Sequence, residues 1–171
     1  MSLHTTLIAL GMTLIFTRTP TERELGAPPV VRVVRRMEQA ASDLEAALLR
    51  RPWPAAVAEK RAKIVFAMGF FESSFHVSPP GYNDDGKACG RMQVHSPEKF
   101  VEGATCAKVR ADGVLGWEAG IAVLQKFEAK CGTIVGALNA YAWDGECHPG
   151  VVMDLVRQRC IKAGLDPKTC E

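Results

Sequence analysis

The stretch AAVAEKRAKIVFAMGFFESSF, residues 55–75, carries the clearest secondary-structure signal in the chain. Pro54 suits the first turn of a helix, and the pattern predicts a helix over residues 55–72. Apolar residues recur there with the 3.6-residue period of an α-helix, which indicates one buried stripe. The residues of this stripe are Val57, Ile64, Val65, Met68 and Phe71.

Helical patterns continue on both sides of this segment. We predict helices over residues 30–51, 115–130, 133–141 and 151–163, the second of which should bury Trp117, Ile121, Leu124 and Phe127. Ser96 followed by Pro97 predicts another helix start, with Ser96 as the cap. Residues 78–90 are rich in Pro, Gly and Asp, which predicts a loop or a short hairpin. With no convincing central strand, the fold class is mainly α.

Length and composition restrict the classes of protein. The 171 residues suit one domain, and 47% hydrophobic with 23% charged residues excludes a disordered chain. The 21 basic and 19 acidic residues nearly balance and give a net charge of +2. We therefore expect no nucleic-acid partner, which would require a concentrated basic surface. No apolar run reaches the roughly 18 residues of a membrane span.

All six cysteines lie in the second half of the chain: Cys89, Cys106, Cys131, Cys147, Cys160 and Cys170. An even number favours up to three disulfides, formed in an oxidising compartment, although the spacing does not choose the pairs. The alternative is buried free thiols in a cytosolic core. Without a C-x-x-C pair, and with only His95 and His148 nearby, we predict no metal site.

Residues 2–17 carry no Asp, Glu, Lys or Arg, and residues 7–16 are mostly apolar. This resembles the central part of an export signal. The segment lacks a preceding Lys or Arg, and Pro28 directly follows the best small-residue cleavage site. A cleaved signal, an uncleaved anchor and a helix packed on the domain all remain open. We therefore divide the chain into a signal or anchor segment, residues 1–27, and a domain, residues 28–171.

Glu72 is a lone carboxylate among Phe70, Phe71 and Phe75. It falls near the predicted helix C-terminus, where the helix dipole disfavours negative charge, and apolar neighbours disfavour it further. Both effects favour the protonated acid, the form that a general acid needs to cleave a glycosidic bond. The alternative is a surface glutamate at a helix end.

Three segments together resemble a known signature: Glu72-Ser73-Ser74-Phe75, Gly90-Arg91-Met92-Gln93 and Ala140-Tyr141. The chain is similar here to soluble lytic transglycosylases and goose-type lysozymes, which show Glu-Ser-x-Phe, Gly-Leu-Met-Gln and Ala-Tyr-Asn in this order. The resemblance covers residues 55–145. It implies an α+β lysozyme-like fold, in which a helical domain and a small loop or hairpin lobe flank a glycan cleft.

The resemblance also implies roles for individual residues. Glu72 would be the catalytic acid and base, Ser73 would orient it, and the Tyr141 hydroxyl would lie nearby. Gln93 would donate amide hydrogen bonds to the glycan. The substrate-binding residues implied in this way are Ser73, Gly90, Met92, Gln93, Ala140 and Tyr141, and no cofactor is required.

The chain departs from the family pattern at three places. Arg91 replaces the usual Leu, which would put a charge beside the cleft or in solvent. Ala142 replaces the usual Asn, and Trp143-Asp144-Gly145 replaces small residues. We expect altered substrate subsites; the alternative is a catalytically silent module that binds glycan or acts as a scaffold.

A second carboxylate would distinguish the two related reactions. An inverting hydrolase needs one about 6.5–9.5 Å from the acid to hold a water, whereas a transglycosylase needs none. The candidates are Asp84, whose position resembles that of an Asp in goose-type lysozymes, and Asp85. Both also suit an ordinary turn beside Gly86.

The predicted function is cleavage of the bond between N-acetylmuramic acid and N-acetylglucosamine in peptidoglycan, with a transglycosylase favoured over a lysozyme. The partner is the glycan strand, so we expect export to the periplasm or beyond, with no stable membrane span apart from an N-terminal anchor. A role in a cell-envelope machine or a phage particle is compatible with this. A disulfide-bonded interaction domain is a third alternative.

Overall fold

The computed structural model describes residues 2–16, 30–77 and 87–149, together with residues 157–158, 161 and 164. The described chain is mainly helical with one small two-stranded antiparallel sheet, which confirms the predicted fold class. Its helices are α1 (Leu3–Phe16), α2 (Val30–Arg50), α3 (Ala55–Ser73), α4 (Cys106–Ala111), α5 (Gly113–Cys131) and α6 (Ile134–Ala142), with a 3₁₀ turn at Pro97–Lys99. Strands β1 (Ala88–Cys89) and β2 (Val94–His95) pair Ala88 with His95 and Cys89 with Val94.

Helix α3 is the centre of the fold. Every residue from 64 to 70 is buried, whereas Val57 and Phe71 of the predicted stripe are only half-buried. The prediction of one buried face was therefore too narrow, because α1, α2 and α5 surround this helix. A helical segment that is covered on all sides, as residues 64–70 are, shows no strong amphipathic period. Gly69 lets the Trp117 ring of α5 approach the α3 backbone, since any Cβ there would overlap the indole.

Helix α1 packs on α2 and α3. Its buried stripe is Leu7, Gly11 and Leu14, and Gly11 lies directly against the side chains of Met37 and Phe66. In the structure, residues 3–16 form a helix that is packed on the domain. No helix in the described ranges has both the length and the hydrophobicity needed to cross a bilayer.

Most predicted helix boundaries agree with the structure to within two residues. Asp112 caps α5 by accepting from the N–H groups of Val114 and Leu115, and Thr133 caps α6 by accepting from Gly136. The short helix α4 was not predicted. The predicted helix start at Ser96 was wrong in its detail: only a 3₁₀ turn forms, and the Ser96 side chain caps nothing. Its φ of 49° is left-handed rather than the extended conformation of a capping residue.

Two disulfides tie loops to helices. Cys89–Cys106 joins β1 to α4, and Cys131–Cys147 joins the end of α5 to the segment after α6, with Cα atoms 5.4 and 5.3 Å apart. This confirms the disulfide prediction for these four cysteines. Several predicted features lie outside the described residues: Cys160 and Cys170, residues 78–86 of the loop predicted over residues 78–90, and most of the helix predicted over residues 151–163.

Candidate functional site

Glu72 is the penultimate residue of α3, and its side chain is half-buried. The two residues that follow the helix, Ser74 and Phe75, have left-handed φ values of 50° and 63°. Their N–H groups close the helix by donating to the carbonyls of Phe70 (2.8 Å) and Gly69 (3.2 Å). Consecutive non-glycine residues in this region are strained, so surrounding contacts must hold the turn.

The core holds this turn through Phe75. Its side chain is fully buried, with its ring centroid 4.7 Å from Phe66 and 5.5 Å from Phe70. Its carbonyl accepts a hydrogen bond of 3.1 Å from Nε of Arg91, a residue of the second motif. The backbone next to Glu72 is therefore fixed by aromatic packing and by a buried cation.

His76 extends the same turn towards α2, where its ring Nε2 accepts a hydrogen bond from the Arg36 guanidinium. Burial lowers the pKa of His76, and the positive charge of Arg36 lowers it further. The imidazole is thus held as a neutral acceptor at neutral pH.

Arg91 corrects an expectation from the sequence. Instead of lying beside a cleft or in solvent, its side chain is 2% exposed and enters the core between α2 and α5. Nη1 pairs with Oδ2 of Asp43 at 2.7 Å, and the guanidinium carbon lies 5.9 Å from the centroid of the Trp117 ring. Burial lowers the pKa of Arg91, and the carboxylate of Asp43 opposes that shift. A charge partner and an aromatic face together make this burial tolerable.

The second motif forms a tight turn against α4 and α5. Gly90 has a φ of 69° and lies so close to Val109 that a Cβ would overlap it. Met92 is fully buried against Gly120. The side-chain amide of the half-buried Gln93 donates to the Gly90 carbonyl at 2.7 Å, and its backbone N–H donates to the same oxygen at 3.1 Å. Gln93 is thereby held at the surface of the turn.

The third motif reaches the second through Tyr141, whose hydroxyl donates a hydrogen bond to the Met92 carbonyl. Tyr141 lies near the C-terminal end of α6, where Ala140 is buried and Ala142 is half-buried. Two bonds, Arg91 to Phe75 and Tyr141 to Met92, thus join the three motif segments.

The predicted site residues fall into two groups by burial. Glu72, Gln93 and Tyr141 are half-buried, so part of each side chain is accessible. Four others are buried and support the accessible residues from the core side: Ser73, Gly90, Met92 and Ala140. The Ser73 hydroxyl donates to the Gly69 carbonyl (2.9 Å), one turn back in its own helix. Asp84 and Asp85 lie outside the described residues.

Sequence reasoning missed Asp43 and Arg36 of α2 because each meets its partner only across the packed helices. It also missed that Trp143 and His148 stack on each other; their spacing of five residues carries no periodic signal. Within the described ranges, no group of His, Cys, Asp or Glu side chains is arranged to hold a metal ion.

No protein-family model, no curated protein and no solved structure matches this chain.

Proposed function

We propose that this protein cleaves the β-1,4 bond between N-acetylmuramic acid and N-acetylglucosamine in peptidoglycan, as a lytic transglycosylase. The two disulfides among the described residues and the location of this substrate both favour export, to the periplasm or beyond. The glycan strand is the proposed partner. The type of reaction, transglycosylation, is inferred from the sequence resemblance.

One observation carries the proposal: two hydrogen bonds join the three motif segments, which are far apart in the chain, by linking the first segment to the second and the second to the third. Arg91 bonds the turn after Glu72, and Tyr141 bonds the Met92 carbonyl. A chance match of three short motifs would not require their segments to touch. The accessible members of these segments are an acid, an amide and a phenol, which are the groups that glycan cleavage uses.

The burial of Arg91 also weakens the silent-module alternative. That alternative rested on Arg91 and on Ala142, and the Arg91 charge is paired with Asp43 inside the core instead of standing in or near a cleft. Arg91 instead supports the turn that follows the proposed catalytic acid.

In the proposed reaction, the Glu72 carboxylic acid donates its proton to the glycosidic oxygen as the bond from that oxygen to C1 of muramic acid breaks. The resulting carboxylate then takes the proton of the C6 hydroxyl, and the C6 oxygen bonds to C1. The product is a 1,6-anhydro sugar, and no water is consumed. One carboxyl group serves as acid and then as base.

The test is mass spectrometry of the soluble products released from purified peptidoglycan by the full-length, oxidised chain. The full chain is required because α1 forms part of the core. We expect anhydro-muropeptides, and we expect Glu72→Gln to release them at least about 100-fold more slowly, since general acid–base catalysis contributes roughly 10²–10⁴-fold. The amide preserves the size of the side chain but cannot donate the carboxylic acid proton.

Each other outcome selects an alternative. Products with free reducing ends would identify a lysozyme and make Asp84 the next residue to substitute. A folded, oxidised protein that binds glycan but releases no products would identify the silent module. Equal rates for the parent chain and Glu72→Gln would remove Glu72 from the mechanism.

A further inference from the structure

Trp143 is a large hydrophobic side chain that the structure leaves exposed. Its relative exposure is 60%, whereas the other two tryptophans, Trp53 and Trp117, are buried at 7% and 0%. It follows directly on α6, two residues after Tyr141, and its N–H donates to the Asn139 carbonyl. Leaving a ring of this size in water forgoes the stabilisation that its burial would give.

The ring is held in place on one face. The His148 imidazole stacks on the indole with centroids 4.3 Å apart and planes 18° from parallel. Asp144 holds this imidazole through a contact of 2.8 Å between its Oδ1 and Nε2 of His148. Among the described residues, no second ring stacks on the other face of the indole.

The short segment that carries the ring is itself tied down. The Cys131–Cys147 disulfide anchors it to the end of α5, and Lys130 Nζ donates to the Gly145 carbonyl (2.9 Å) and pairs with Glu146 (2.9 Å). The Gly145 N–H donates to the Ala140 carbonyl at 2.9 Å. The indole is therefore preorganised, which lowers the entropic cost of binding.

We propose that Trp143 is a stacking platform for one N-acetylhexosamine ring of the glycan strand, forming a subsite beside the Tyr141 segment. This inference rests on the proposed function for the identity of the ligand. A pyranose ring presents a face of C–H groups to the negative face of an indole and keeps its hydroxyls at the rim. Here the Asp144 carboxylate, next to Trp143 in the chain and bonded to the stacked His148, can accept hydrogen bonds from hydroxyls at that rim.

The surroundings fit a sugar better than the other common occupants of an exposed tryptophan. Asp144 and Glu146 are near neighbours of the ring in the chain, and the Lys130 cation is paired with Glu146, so these side chains do not form the basic cluster that binds an anionic lipid surface. The chain around the ring is polar, from Asp144 through Glu146 to His148, whereas a protein interface usually has an apolar centre. A single aromatic face with a polar rim matches one sugar ring.

The test uses tetra-N-acetylchitotetraose as the probe and Glu72→Gln as the background, so that no turnover occurs. Iodide quenches exposed tryptophans selectively, so it reports on Trp143 rather than on the buried Trp53 and Trp117. We expect the oligosaccharide to protect the fluorescence from iodide. By calorimetry, Trp143→Ala should weaken binding about tenfold, whereas Trp143→Phe should weaken it no more than about threefold. Leu49→Ala, which removes another exposed apolar side chain (86% exposed), should leave the affinity unchanged.

Two results would overturn the platform: unchanged affinity in Trp143→Ala, or no binding of the oligosaccharide. The proposed function is judged separately, by the products that the parent chain releases from peptidoglycan. If those products appear and Trp143→Ala has an unchanged KM, the platform fails and the proposed function stands. If no products appear but the oligosaccharide protects Trp143, the proposed reaction fails and the platform stands.

Discussion

The buried position of Arg91 depends on residues that are distant in sequence, so it could not be predicted from the motif alone. In sequence it is a charge in a motif that usually carries leucine, yet its guanidinium is buried with Asp43, Trp117 and the Phe75 carbonyl around it. Gly113 leaves the space for this pair, because a Cβ there would overlap both Arg91 and Asp43. The pair therefore links α2, the turn after Glu72 and the start of α5.

We predict that Arg91→Leu, which introduces the residue that the resembling families usually carry at this place, destabilises this protein by about 3 kcal/mol. Leucine would leave the Asp43 carboxylate without its cation and the Phe75 carbonyl without its donor. Asp43→Asn in addition should recover at least about 1 kcal/mol of that loss, because neighbouring residues couple. Urea unfolding of the parent, both single variants and the double variant measures this coupling.

The matched control is Arg32→Leu, an arginine that is exposed on α2, which should change the free energy of unfolding by no more than about 0.5 kcal/mol. Strictly additive effects of Arg91→Leu and Asp43→Asn would show that the two residues do not stabilise each other.

At the scale of elements, each disulfide restrains one motif-bearing segment. Cys89 lies directly before Gly90 and is bonded to the first residue of α4, whereas Cys147 follows the Trp143 segment and is bonded to the last residue of α5. The bonded cysteines are 17 and 16 residues apart in sequence. The chain-entropy model therefore gives both bonds about the same stabilisation, roughly 3 kcal/mol each.

We predict that Cys89→Ala with Cys106→Ala lowers the midpoint of thermal unfolding by about 6–12 °C, as a loss of about 3 kcal/mol requires for a chain of this size. Cys131→Ala with Cys147→Ala should lower it by a similar amount. Calorimetry under oxidising conditions compares the two double variants with the parent. Paired substitutions are preferable to a reducing agent, which would act on Cys160 and Cys170 as well. An unchanged midpoint for either pair would mean that its bond does not restrain the unfolded chain.

At the scale of the whole molecule, α1 belongs to the hydrophobic core, so the fold includes the N-terminal residues of this helix. Leu7 and Leu14 are buried, at 0% and 2% exposure, and α1 covers Met37 of α2 and Phe66 of α3. Removing this helix would expose the centre of the core. The apolar character that resembles an export signal is, in the structure, the buried face of a packed helix.

We predict that Leu7→Ala destabilises the full-length protein by about 2–5 kcal/mol, the usual cost of truncating a fully buried leucine. Ala9→Ser, at an exposed position of the same helix, is the matched control and should be nearly neutral. Denaturant unfolding of the two variants gives the comparison. Equal stability of Leu7→Ala and the parent would show that α1 does not belong to the cooperative core.

Much of the fold could be predicted from the sequence, because its signals are local. Helices α2, α3, α5 and α6 have long periodic patterns, and prolines or capping residues mark several of their ends. The even number of cysteines likewise predicted disulfides. The predictions were weaker where the periodic pattern was short or absent: α4 spans only six residues, and α3 is buried on all sides over residues 64–70.

The sequence by itself determined the mainly helical class, the presence of disulfides and the motif-bearing residues that define the candidate site. Periodicity, residue type and short spacing are properties that a chain has before it folds. The tertiary structure alone decided the disulfide pairing, the burial of Arg91 against Asp43, the bond from Tyr141 to Met92 and the packing of α1. Each of these depends on contacts between residues tens of positions apart or on a choice among several partners, and only the packed core makes that choice.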